Sequence, residues 1–222
     1  MKKSIKTALI GCGYWGKNYL RLLKKHDFFE LTHIVDKNDP NVDGVTYLKD
    51  ISKLDTTDVE CAIICTPTST HYEISKELLN MNINLLVEKP IATSIKEVNE
   101  LYDISENKNL ILMTDYTFLY NSVIQEIIKI IDSNELGKLQ YLQFERSNLG
   151  PIRTDVSVVW DLLTHDISIL SCIVKDLPNK INSSGLLRED QKFHDVVNVS
   201  LNFQDIFVNC FYYRKRERSE YD

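Results

Sequence analysis

No apolar run in this chain of 222 residues is long enough to cross a membrane. There is no excess of positive charge either. Lys and Arg number 26 against 32 Asp and Glu, so the net charge is −6 and the basic footprint of a nucleic-acid binder is missing. Repeats, low-complexity tracts and a flexible linker are absent as well, which excludes a repeat array and leaves closely abutting domains as the expectation. The cysteines are five, scattered and odd in number. Cys61 and Cys65 lie in an apolar run that suits a core better than a metal, so no metal site is expected and a reducing cytoplasm is. Met1-Lys2-Lys3 ahead of Leu9-Ile10-Gly11-Cys12 imitates a lipoprotein signal. Lys6 interrupts that run, however, and the run is too short for one.

What is present is an ordinary soluble composition, with length enough for one large or two small domains. The chain is organised around its first thirty-six residues. Ile5 to Ile10 reads as a strand and Gly11-Cys12-Gly13-Tyr14-Trp15-Gly16 follows at once. Helical spacing then runs from Tyr14 to Lys25 through Trp15, Tyr19, Leu22 and Leu23, and a second strand, Leu31 to Val35, ends on Asp36. Strand, G-x-G-x-x-G, helix, strand and acid form a dinucleotide-binding pattern. Gly11 permits the tight turn, Gly13 lets a pyrophosphate approach the backbone, and Gly16 lets the helix pack close to the strand. The helix N-terminus offers N–H groups and a positive dipole end to phosphates. Asp36 can accept both ribose hydroxyls of an adenosine. An open α/β domain holding another adenosine ligand, such as a methyl donor, is the alternative.

Strand and helix then alternate. Val45 to Leu48 is expected as an edge strand and Val59 to Cys65 as a parallel strand covered on both faces. Thr70 with Glu73, and Ser94 with Glu97, are expected capping boxes of two helices, the first burying Ile74, Leu78 and Leu79 and the second carrying Val98, Leu101 and Tyr102 on one face. Asn84 to Val87 and Leu110 to Thr114 complete a doubly wound parallel sheet, so residues 1–117 are expected as a Rossmann domain. Residues 118–222 are expected as an α+β domain with an open, mostly antiparallel sheet. In it, Asn121 to Asp132 is a helix with Val123, Ile124, Ile127, Ile128 and Ile131 inward, Leu139 to Ser147 a long strand, and Val158 to Ile173 a helix. Val197, Val199, Leu201 and Phe203 alternate with polar residues, and Gln204-Asp205 turns into a partner strand, Ile206 to Tyr212.

Two clusters carry candidate chemistry. Glu88-Lys89-Pro90 closes a parallel strand at the end where open α/β sheets bind ligands, so Lys89 can polarise a substrate oxygen; a surface lysine in a turn is the plainer reading. Asp161 and His165 are four apart on one helix, so a carboxylate can orient an imidazole for proton transfer; a surface pair or a core histidine is the plainer reading there.

Together these motifs resemble the glucose–fructose oxidoreductase, inositol dehydrogenase and MocA family. The resemblance rests on Gly11 to Asn18, Thr66-Pro67 with His71, Glu88-Lys89-Pro90, and Asp161 with His165, in the family's order. It implies NAD-linked oxidation or reduction of a sugar, polyol or nucleotide sugar. Lys89, His165 and Asp161 would be catalytic. Gly11, Gly13, Tyr14, Trp15, Gly16, Asp36, Thr66, Pro67, His71, Glu88 and Lys89 would form the cofactor site, with His71 packing near the loop. It also implies a cis peptide at Lys89–Pro90. The run from Arg146 to Val156 resembles a subgroup linked to nucleotide sugars. There Arg153 pairs with a diphosphate or, equally, with a domain interface, and Tyr116 and Asn148 are weaker sugar contacts. Asp36 makes NAD the expected cofactor over NADP. The expected partners are a sugar or nucleotide sugar and a second copy of the chain, with no nucleic acid or membrane. Relatives usually continue beyond the hairpin at Gln204-Asp205. The chain is therefore expected to be shortened, with Ile206 to Tyr212 as a bare sheet edge and a loose charged tail from Arg214 to Asp222. A catalytically silent NAD-binding protein or fragment is the alternative function.

Overall fold

Six short stretches assemble into the first sheet of the computed structural model, which describes residues 4–149, 157–187 and 193–215. The chain forms two compact units, Met1–Asp115 and Tyr116–Asp222. In the first, β1 (Ile5–Ile10), β2 (Phe29–Val35), β3 (Thr46–Leu48), β4 (Cys61–Ile64), β5 (Asn84–Glu88) and β6 (Leu112–Asp115) alternate with α1 (Gly16–Leu23), α2 (His71–Asn80) and α3 (Ile95–Asn107). All the strands are parallel, in the order β3-β2-β1-β4-β5-β6. The order reverses direction between β1 and β4, and such a switch point opens a crevice at the carboxyl ends of the strands.

Successive side chains of a strand face opposite ways, and this sheet is covered on both sides. Ala8, Ile10, Ala62, Ile64, Leu85 and Val87 face one core with Leu78, Leu79 and Leu101 of α2 and α3. Leu9, Ile34 and Ile63 face the other, with Leu23 of α1 and half-buried Tyr19, Cys65 and Leu86. Glu88 and Asp115 continue the alternation of β5 and β6 on the α1 side. The helices depart from the sequence reading at their margins. Trp15, Leu22 and Tyr102, which carry the helical apolar spacing, are exposed. Thr70 forms no capping box: its hydroxyl donates back to the Pro67 carbonyl, 2.7 Å, instead of accepting from the helix. Ser94 does cap α3, accepting from Glu97 N–H at 3.2 Å, while Glu97 reaches back to Thr93 N–H.

The second unit contains a 3-10 turn (Thr117–Tyr120), α4 (Ser122–Asp132), β7 (Tyr141–Leu149), a π-helical turn (Val159–Leu163) running into α5 (Thr164–Ile173), β8 (Lys180–Leu186), β9 (Val196–Asn202) and β10 (Phe207–Lys215). Its sheet has the order β7-β10-β9-β8, with β7 and β10 parallel and the other pairs antiparallel. Val197, Val199, Leu201, Val208, Cys210 and Tyr212 are buried on one face, which meets Val158, Leu170 and Val174.

Three expectations need correction. β10 is no edge: β7 and β9 pair along it on both sides, because the long strand from residue 141 returns to lie beside it. An edge is formed instead by β8, a strand absent from the sequence reading and exposed throughout. And α4 buries no side chain completely, leaving Val123 and Ile127 exposed. The tail from residue 216 lies outside the described residues. Among those described, no helix is long and apolar enough to cross a membrane.

Candidate cofactor and catalytic site

The glycine loop joins β1 to α1, and each glycine has a different local reason. Gly11 has φ +88°, and a Cβ there would stand 2.9 Å from the Cys65 carbonyl and Thr66 nitrogen. A Cβ on Gly16 would stand 2.1 Å from the Gly11 carbonyl oxygen, so only glycine lets α1 begin there. Gly13 differs: no heavy atom lies within 4 Å of its ideal Cβ, so its bare backbone fronts open space where a ligand can approach. α1 starts with no side-chain cap and no acid in its first turn; Lys17 and Asn18 N–H donate back to the Gly13 and Trp15 carbonyls at 3.1 and 2.9 Å, and the positive dipole end still faces an anion. Tyr14 is 91% exposed and Trp15 44%.

Asp36, just past β2, is fastened to this loop. Its Oδ2 accepts from Cys12 N–H at 2.7 Å and its Oδ1 from Asn38 N–H at 2.9 Å. A carboxylate has about four acceptor sites, so capacity for ribose hydroxyls is left. Across the switch point, His71 is almost fully buried. Its Nδ1 lies 2.8 Å from the Pro90 carbonyl and its Nε2 2.8 Å from the Thr66 carbonyl. It ties the loops after β4 and β5 together, which is a packing role. Both contacts are hydrogen bonds at once only for a doubly protonated ring. The Lys89–Pro90 peptide is cis.

Glu88 and Asp115 are register partners at the last positions of β5 and β6. Lys89 N–H donates to Glu88 Oε2 at 3.2 Å. Tyr19, from α1, donates its hydroxyl to Asp115 Oδ2. Glu88 Oε1 is buried with no hydrogen-bond partner in the structure. Burial first, and the facing Asp115 second, push the Glu88 carboxyl up to about 8. Burial likewise raises the Cys65 thiol and the Tyr19 phenol. Tyr19 and Asp115 were missed in the sequence because they lie 96 residues apart and belong to no common motif.

In the second unit, Asp161 sits in the π turn and His165 in the first turn of α5, both half-buried. The His165 ring packs edge-on against Phe118 at 5.1 Å between centroids, and the Arg146 guanidinium lies over the same Phe118 ring, 4.6 Å from its centroid. Arg146 forks onto Asp166 with Nε–Oδ1 3.0 Å and Nη2–Oδ1 2.6 Å, and Tyr212 donates to Asp166 Oδ2 at 2.8 Å. This buried network is what braces the helix carrying His165. Breaking such a pair from one side costs about 3–5 kcal/mol. The pairing of Arg146 with Asp166 is not legible in the sequence, because the two residues stand 20 apart on different elements. Tyr116 lines an apolar groove of about 410 Å³ with Leu119, Trp160, Leu163 and Ile167, and neither Asp161 nor His165 is in that lining. Arg153 lies outside the described residues, as does the side chain of Asn148. Among the described residues, no group of three His, Cys, Asp or Glu is arranged to hold a metal.

Residues 5–116 match the family described as an oxidoreductase family with an NAD-binding Rossmann fold. An uncharacterized oxidoreductase of Streptococcus pneumoniae serotype 4 is 24% identical over 96% of this chain and 60% of its own length. The UDP-N-acetylglucosamine 3-dehydrogenase of Acidithiobacillus ferrooxidans is 23% identical over 82% of this chain and 58% of its own. Among solved structures, GenD2 from gentamicin A biosynthesis, in complex with NAD, superposes with a TM-score of 0.88 at 18% identity, covering 95% of this chain and 66% of that one. The chain thus spans about three fifths of the length of the curated relatives it matches.

Proposed function

The chain belongs to the glucose–fructose oxidoreductase, inositol dehydrogenase and MocA family of NAD-binding oxidoreductases, and from that premise we propose that it binds NAD in preference to NADP and moves a hydride between the nicotinamide and a CH–OH carbon of a sugar or nucleotide sugar. The observation that carries the cofactor half is the open space at Gly13, bounded by an uncapped helix N-terminus and by the Asp36 carboxylate. The pyrophosphate would take the helix N–H groups. Asp36 would accept the adenosine ribose hydroxyls and repel a 2′-phosphate.

A bound nicotinamide supplies the hydride acceptor or donor at its C4. The chain's own residues do the rest. Lys89, held through the Glu88–Lys89 backbone turn, polarises the substrate oxygen and offsets negative charge developing on it. His165 takes the hydroxyl proton in oxidation and returns it in reduction, with Asp161 orienting the ring. Similarity to a relative named as a UDP-N-acetylglucosamine 3-dehydrogenase supports the sugar class. Arg153 and Asn148 are proposed for the substrate's diphosphate and sugar, and Tyr116 for its sugar.

Steady loss of NADH absorbance on mixing the protein with a panel of 3-keto sugars and 3-keto nucleotide sugars tests this reading. One keto sugar is expected to be reduced at a rate that Lys89→Met abolishes. NADH binding without turnover on any sugar would make the chain a silent NAD-binding protein instead.

A further inference from the structure

The carboxyl pair at the ends of β5 and β6 has one more consequence. Glu88 and Asp115 face each other on the α1 side of the sheet, in register and half-buried or buried. Two of their four oxygens have a donor. Glu88 Oε2 takes the Lys89 N–H, Asp115 Oδ2 takes the Tyr19 hydroxyl, and Glu88 Oε1 is buried beside its register partner Asp115 with no donor to it. Two acceptors facing each other in a buried place are stable only with a proton between them. A single proton on Glu88, donated to Asp115, satisfies the whole set and leaves the pair with one negative charge.

The groups around the pair limit what else can titrate with it. Tyr19 comes from α1, Cys65 from the end of β4 with Cys12 beyond it, and Lys89 follows on the same strand. Burial holds Tyr19 and Cys65 in their neutral forms through the range where carboxylic acids ionise. Burial and the facing Asp115 raise the Glu88 carboxyl to about 8, so its charge is poised to change near neutral pH. The topology fixes what it would act on. Asp36 and the glycine loop claim the adenosine and pyrophosphate on the β1–β2 side, so the far half of a dinucleotide falls across the switch point, over β4, β5 and β6.

Resting on the NAD reading above, we propose that Glu88 sets the choice between NAD+ and NADH, with Asp115 and Tyr19 as positioning residues that keep one proton in the pair. The oxidised ring is a cation and the reduced ring is neutral. With its proton, the pair offers one negative charge to either. Without it, the pair offers two, which favour the cation. NAD+ binding therefore releases the proton of Glu88, and NADH binding retains it. Raising pH tilts the protein toward NAD+, and lowering pH tilts it toward NADH.

Two measurements on the full chain test this. First, carbon-13 NMR of glutamate-labelled protein, with the Glu88 signal assigned by its loss in Glu88→Gln, reads the titration directly. The midpoint is expected near 8, and Asp115→Asn is expected to lower it. Second, the ratio of the NADH to the NAD+ dissociation constants is measured by fluorescence and calorimetric titration from pH 6.5 to 9.5. It is expected to rise about tenfold, as one added charge at close range in a partly buried site implies, and to stay flat in Glu88→Gln. An ordinary carboxyl midpoint, or a flat ratio in a wild-type protein that binds both nucleotides, overturns the inference alone. No binding of either nucleotide at any pH sinks the NAD reading and this inference with it.

Discussion

At the residue scale, the chain announces some of its site and conceals the rest. Gly11, Gly13, Gly16 and Asp36 are legible because a phosphate-binding turn dictates residue type at fixed spacing. Cys12 N–H donating to Asp36 closes that unit in the structure. Glu88 and Lys89 are legible as a motif, but not the environment that gives Glu88 its chemistry, since Tyr19 and Asp115 arrive from elements far apart in sequence. His71 is legible only in part. Its place near the loop follows from sequence, while its grip on both the Thr66 and Pro90 carbonyls needs the fold. For the proposed chemistry, Lys89→Met and His165→Ala are each expected to lower turnover by about 10²- to 10⁴-fold, the worth of one proton-transfer or charge-stabilising group. NADH affinity in His165→Ala should stay within about twofold of wild type, since a proton-transfer group adds its stabilisation in the transition state. Stopped-flow single turnover beside equilibrium titration separates the two. A variant that loses binding as much as rate would remove that residue from its catalytic role.

At the element scale, periodicity succeeds where one face is buried and fails where none is. β1 is read to the residue, because its apolar run is shielded on both faces. β9 is read to within a residue at its ends, closing at Asn202 rather than at the expected Phe203, its burial alternating along all seven residues. β8 is invisible: Asn182, Ser183, Ser184 and Gly185 give no alternation, and the strand exists because β9 offers a free side. The reading of α4 errs the other way, its apolar stripe promising a burial that Val123 and Ile127 do not have. The pairing order corrects an expectation about dynamics. With neighbours on both sides, the amides of β10 should exchange slowly, with protection like that of β9 and well above that of edge strand β8. Hydrogen exchange followed by mass spectrometry resolves the three segments. Exchange in β10 as fast as in β8 would contradict the paired interior position.

At the scale of the whole molecule, the buried acid in the first unit gives stability a pH dependence of definite sign. The folded state holds the Glu88 proton up to about 8, whereas an unfolded glutamate releases it near the ordinary carboxyl value of about 4.5. The folded state therefore binds more protons across that window, so this group's contribution is fully present below it and is lost as pH rises through about 8. Glu88→Gln, which keeps a donor toward Asp115 without an ionisable proton, should remove that decline. Its Tm at pH 8.5 should exceed that of wild type by about 4 °C for each kcal/mol regained. Equal slopes of Tm against pH in the two proteins would show that the carboxyl is not held protonated. The central claim is that the first unit is a nicotinamide dinucleotide site built around bare backbone at Gly13. Titration of NADH and NADPH into wild type and Gly13→Val tests it most directly, because the added Cβ has no protein atom within 4 Å apart from its chain neighbours and the fold is expected to stay intact. The account predicts that wild type binds NADH more tightly than NADPH and that Gly13→Val loses NADH while keeping the wild-type Tm. Undiminished NADH binding by Gly13→Val, or NADPH binding as tight as NADH in wild type, would contradict it.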